Sequence, residues 1–140
     1  MKKVLVNLTL AAAALVVAST VASAADLRAE IPFRFQSGNT VMEPGTYLVV
    51  GHEAGRWFRL YNEHSRKSLT LIRRSQTDAP SAWRHAGKPI LEFACTDGRC
   101  TPKRIWTGEE TSAHEFANPK TEEEKPTRLA LIRLTAAGGE

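Results

Sequence analysis

The sequence predicts an all-β domain, a small antiparallel β-barrel or sandwich of about eight short strands with one hairpin disulfide. Three observations lead there. Short runs of β-branched and aromatic residues recur about every ten residues, each bounded by Gly, Pro, Asn, Asp or Ser. Beyond residue 24 no long stretch carries apolar residues at helical spacing. The dipeptide Asp97-Gly98, a strong hairpin signal, lies midway between the only two cysteines, Cys95 and Cys100. Regular spacing does not separate a barrel from a sandwich, although a barrel leaves fewer open edges.

Taken in order, residues 1–24 read as a cleavable signal peptide. Lys2 and Lys3 precede an apolar run from Val4 to Ala18, and Ala22-Ser23-Ala24 has the small-x-small pattern of a signal-peptidase site. The run is short for a membrane span of about 20 residues and lacks a basic stop-transfer cluster, so the expected mature chain starts at Ala25. No twin-arginine pair precedes it and no cysteine lies near the cleavage site. The expected location is therefore the bacterial periplasm or beyond, with no integral membrane span in the mature chain. Cleavage leaves 17 basic and 15 acidic residues, a net charge of only +2. That balance gives no footing for nucleic-acid binding.

A single β-domain is expected over residues 25–135. Leu27 to Phe35 alternates as a first strand with Leu27, Ala29, Ile31, Phe33 and Phe35 on one face, and Pro32 marks an edge or bulge. A turn at Ser37-Gly38-Asn39 leads to Thr40-Val41-Met42. Glu43-Pro44-Gly45-Thr46 suits a type II turn with Pro44 second and Gly45 third. Strands follow at Tyr47 to Val50, Arg56 to Tyr61 and Lys67 to Arg74. Gln76 to Lys88 reads as a long polar loop around Trp83. Pro89 to Cys95 and Arg99 to Trp106 form the next hairpin, with Pro102 marking its second strand as an edge. Gly108 to Phe116 reads as loop or short helix, and Ala117 to Thr127 as an acidic, solvated connector. Arg128 to Thr135 is the last strand, and 136–140 is expected to fray.

The hairpin sets the disulfide. With Asp97-Gly98 as the turn, Thr96 pairs with Arg99 and Cys95 falls opposite Cys100, at a Cα spacing of about 4.5 Å if the pair is non-hydrogen-bonded. Closing so small a loop contributes about 2 kcal/mol. A metal knuckle lacks a second ligand pair, and a redox pair has Cys-x-x-Cys spacing.

Ile31-Pro32-Phe33-Arg34-Phe35, Gly38 and Glu43-Pro44-Gly45-Thr46-Tyr47 together resemble the start of a family of small exported bacterial β-proteins. Those chains begin with a Val/Ile-Pro-Phe-x-Phe strand, a glycine turn and a Leu-Pro-Ala-Gly-x-Tyr turn. The resemblance extends loosely through Leu69-Thr70-Leu71 and the hairpin from Leu91 to Trp106. Met42-Glu43-Pro44 departs from Leu-Pro-Ala, and the two cysteines flank a tip that relatives leave free of them. The resemblance implies fold and export and carries over no catalytic residue.

Residue chemistry points away from catalysis. His52, His64, His85 and His114 are scattered through expected turns and loops with no paired-ligand spacing, and no metal or cofactor is expected. No serine sits in a Gly-x-Ser-x-Gly elbow. Glu92 has no spacing that brings it to Glu109 or Glu115. Recognition has better candidates. Alternation along Arg56 to Tyr61 places Trp57, Arg59 and Tyr61 on one face and Phe58 and Leu60 on the other, so the second face is core and the first is surface. Trp83 and Arg84 in the long loop are a second candidate, for an aromatic there either plugs a core edge or meets a partner. The expected function is non-catalytic binding of an envelope component or protein partner. An alternative is a hydrolase inhibitor that inserts the rigid tip Thr96 to Arg99; an enzyme is the weakest reading.

Overall fold

The computed structural model describes residues 26–116 and 127–137. The expected signal peptide, most of the acidic connector and residues 138–140 lie outside them. The strands are β1 (Leu27–Ile31), β2 (Phe35–Ser37), β3 (Thr40–Met42), β4 (Gly45–His52), β5 (Trp57–Asn62) and β6 (Ser68–Asp78). After helix α1 (Ser81–Ala86) come β7 (Ile90–Thr96), β8 (Arg99–Trp106), β9 (Ser112–Phe116), β10 (Arg128–Arg133) and β11 (Thr135–Ala136). The chain is all-β, as the turn spacing predicts, with eleven strands among the described residues rather than eight. The three extra strands arise because Pro32 splits β2 from β1, Leu134 splits β11 from β10, and β9 replaces an expected loop or helix.

The strands form one bent sheet in the order β10-β7-β8-β9-β6-β5-β4-β1-β11, with β2 and β3 appended at β8. Pairing is antiparallel except where β2 meets β8 at Phe35 and Cys100. The sheet is not closed into a barrel, although its two end strands are successive segments of the same chain. The bend lies in β6. Its first residues pair with β5, those from Arg73 onward pair with β9, and the register shifts between Arg73 and Ser75. A bulge here increases local twist and re-aims the strand.

The halves of the sheet share one core. Ala29, Ile31, Tyr47, Val49, Phe58, Leu60, Leu69 and Leu71 from one half meet Phe35, Met42, Leu91, Phe93, Ile105, Phe116 and Leu134 from the other. Edge-on ring contacts cross between them, Phe35 with Tyr47 at 5.3 Å and Phe58 with Phe116 at 5.9 Å. Ala29, Ile31 and Phe35 are buried as the alternation predicts, and Phe33 lies edge-on to Phe93 at 5.0 Å.

Several local expectations are corrected. Gly45 is not at positive φ and no type II turn forms; it opens β4 opposite Ile31, close against the Asn62 amide. Asn62 is buried, and its Oδ1 accepts from the amides of His64 and Ser65 at 2.8 and 2.9 Å. Pro102 is not on an edge. β8 runs between β7 and β9, which pairs with it at Arg104 and Ile105, and Pro102 sits opposite Phe93 beside a register shift, a place that tolerates proline. The region expected as a polar loop continues β6 to Asp78 and then forms α1, which ends at left-handed Gly87. Ala136 pairs with Leu27, so sheet pairing runs one residue past the expected last strand, and the Ala137 amide donates to the Asp26 carbonyl at 3.0 Å.

Candidate functional site

β5 has a paired strand on either side, β4 and β6, so both of its backbone edges are used. Only its side chains are available to a partner. Phe58 and Leu60 point inward and are 2% and 0% exposed. Trp57 and Tyr61 are half-buried and Arg59 is exposed on the opposite face. The structure thus places these three on one surface, as strand parity requires.

Their neighbours follow from the register. His52 faces Trp57, Val50 faces Arg59, and Leu48 faces Tyr61 from β4. Ile72, Thr70 and Ser68 face the same three from β6. The His52 and Trp57 rings stack at 3.9 Å with 9° between planes. The Arg59 guanidinium lies 5.6 Å from the Tyr61 ring centre, within cation–π range. Ile72 is 63% exposed. The result is a surface of aromatic, aliphatic and small hydroxyl side chains around a guanidinium that has no carboxylate partner among the described residues.

Trp83 belongs elsewhere. It is buried in a second cluster with Ala79, Ile90, Trp106 and Ala113, where α1 covers the outer face of β7, β8 and β9. Arg104 lies 4.9 Å from its ring centre and donates through Nε to Glu92 Oε1 at 2.5 Å. Trp83 is the core plug of the two roles available to it. Arg84 stays exposed and its Nε donates to the Ala79 carbonyl at 3.1 Å. Trp83 and Arg84 therefore do not join the β5 surface.

The disulfide connects Cys95 and Cys100 with 4.0 Å between Cα atoms. Asp97 and Gly98 both have positive φ, 54° and 79°, as a tight hairpin turn demands. Cys100 is packed into the main core, whereas Asp97, Gly98 and Arg99 are exposed. A hydrogen bond of 3.2 Å between the Thr96 and Thr127 hydroxyls ties the hairpin to the start of β10.

Sequence reasoning missed the buried polar groups. Glu92 is 2% exposed, and the register sets Arg104 between Glu92 on β7 and Glu115 on β9. Glu92 and Glu115 therefore do not form a carboxylate pair; Glu115 accepts from Ser75 and Thr77 at 3.2 and 3.3 Å. His114 is 1% exposed and its Nε2 lies 3.1 Å from Glu110 Oε2. Among the described residues no three His, Cys, Asp or Glu side chains converge in a way that would hold a metal ion. No helix of the described residues is long and apolar enough to cross a membrane.

Comparison with known proteins gives no relative: no family model, no curated protein and no solved structure matches the chain.

Proposed function

We propose that this protein is an exported, non-catalytic binding domain whose contact surface is the outer face of β4, β5 and β6, centred on Trp57, Arg59 and Tyr61. The ligand is an envelope component or a protein partner. The observation that carries this reading is the division of β5: a buried row, Phe58 and Leu60, fixes the strand, and an outer row presents aromatic rings beside a guanidinium with no carboxylate partner among the described residues. Such groups supply large contact area with directional polar tips. Export accounts for the signal-like residues 1–24, and the disulfide belongs to an oxidising compartment.

Alanine at Trp57, Arg59 or Tyr61 is expected to weaken the partner by more than about 1 kcal/mol and to leave the melting temperature nearly unchanged. Phe58→Ala and Leu60→Ala are expected to destabilise the domain by about 2 to 5 kcal/mol. The partner is first recovered from envelope extract, after which affinities and thermal melts are measured on all five variants. If every substitution costs stability and none costs affinity, the face is structural cover and the reading fails.

One observation favours the inhibitor alternative, the exposed tip Asp97 to Arg99 on a hairpin anchored through Cys100. Inhibition of an envelope hydrolase that is lost on replacing Arg99, and kept on replacing Trp57, would favour this second reading.

A further inference from the structure

The turn between β4 and β5 has three successive residues in the left-handed region, Glu53, Ala54 and Gly55, with φ of 53°, 58° and 86°. Two of the three are not glycine, a conformation that persists only where surrounding contacts impose it. Backbone bonds close the turn, from the Gly55 and Arg56 amides to the His52 carbonyl and from the Arg56 amide to the Glu53 carbonyl, each at 3.1 Å, and a side chain supports it from below. Gly55 rests on the buried His114 ring so closely that an added Cβ would lie 2.6 Å from Cε1.

His114 is an expensive residue for filling space. Its ring sits 5.3 Å from that of Phe58, and its Nδ1 is buried without a hydrogen-bond partner among the described residues. A leucine would occupy similar volume without stranding a polar atom. What the imidazole adds is its other nitrogen. An ionised Glu110 carboxylate can only accept, so the 3.1 Å contact calls for the tautomer with hydrogen on Nε2, and such a bond restrains the plane of the ring. Glu110 is itself held by its backbone, because its carbonyl accepts from Trp106 Nε1 at 2.7 Å. Trp106 in turn packs with Trp83 under α1. Above the turn, the flanking residues His52 and Trp57 form the outward stack.

We propose that Glu110 and His114 are positioning residues for the Trp57 end of the binding face. Glu110 orients the imidazole, the imidazole seats Gly55, and the seated turn sets His52 against Trp57. The functional part of this proposal rests on the reading that the face binds a partner.

The test uses the full exported protein labelled with nitrogen-15, in which the Trp57 indole signal is assigned by Trp57→Phe and Trp83 serves as internal reference. In His114→Leu and Glu110→Ala the Trp57 signal is expected to shift and its proton contacts to His52 to disappear, with Trp83 unmoved. His114→Gln, which keeps a donor toward Glu110, is expected to restore both features at least in part, an outcome that simple loss of packing does not give. Partner affinity, measured with the component recovered on wild-type protein, should fall at least about fivefold in Glu110→Ala, equivalent to about 1 kcal/mol. Should His114→Leu fail to fold, Glu110→Ala decides, since that side chain is 43% exposed. An unmoved Trp57 signal in Glu110→Ala overturns the proposal, as does a shift common to Trp57 and Trp83, or a Trp57 shift with unchanged affinity. If Trp57→Ala itself leaves affinity unchanged, the binding reading has failed, whereas loss of binding in Trp57→Ala beside an unmoved signal in Glu110→Ala means that only the positioning inference has.

Discussion

Tyr47 brings a phenol into the middle of the core, where it is 0% exposed, and its hydroxyl donates to the Glu43 carbonyl at 2.5 Å. Burial raises its pKa above the ordinary value; the Asn62 amide pulls the other way and the nearby Glu43 charge adds to the rise. The sign of the consequence follows. Below about pH 10 both folded and unfolded chains hold the phenolic proton, and Tyr47 adds no pH dependence. As pH rises through that value the unfolded chain releases its proton first, so the folded state binds more protons and stability falls until the raised folded pKa is passed. Urea midpoints of the wild type should therefore drop more steeply above about pH 10 than those of Tyr47→Phe, which has no proton to lose. The phenylalanine variant should also be less stable near neutrality, because it gives up the bond to Glu43. Equal slopes for the two proteins would remove Tyr47 from the alkaline transition.

At the scale of elements, the disulfide hairpin and α1 stabilise in different ways. Replacing Cys95 and Cys100 by serine should cost about 1 to 3 kcal/mol and leave the fold in place, because the tight turn at Asp97-Gly98 sets the register without the bond. Intact mass establishes the disulfide in the exported protein, and urea unfolding gives the cost. Trp83→Ala should be worse, about 3 to 5 kcal/mol, since it empties the second core cluster and uncovers the Arg104 and Glu92 pair. Faster amide exchange at Gly87, whose N–H bonds the Trp83 carbonyl at 2.9 Å, would report the loss of α1. These elements differ in how legible they were. The β5 faces and the hairpin register follow from a period of two and from one dipeptide, so the sequence carries them openly. β9 does not alternate, because Ala113 is buried in the second cluster while His114 and Phe116 are buried on the other side, and a strand covered on both faces loses its polar row. α1 is a six-residue helix, too short for helical periodicity to register. Glu92, Arg104 and Glu115 come together only through strand register, one step of it across a bulge, which no local spacing encodes.

The described residues form one bent sheet with a main core and a smaller one under α1, and the proposed export has a direct check. N-terminal sequencing of the purified protein should give Ala25, the residue after the small-x-small site. A start far from Ala25, or full retention in the inner membrane, would sink that part of the proposal. The pairing of β1 with β11 bears on what happens in between. Leu27 stands opposite Ala136 and Arg28 opposite Thr135, so the first strand to emerge needs the last one to complete its edge. On the proposed export route, a chain threaded N-terminus first would hold β1 without its β11 partner until nearly the whole domain had crossed. Such long-range pairing is slow, and an open edge attracts other chains meanwhile. If the chain is exported as proposed, passage and final folding become sequential events, with the pairing of Thr135 and Ala136 among the last steps. A chain truncated before Thr135 should cross as well as the full one, yet linger as a chaperone client or aggregate on the far side.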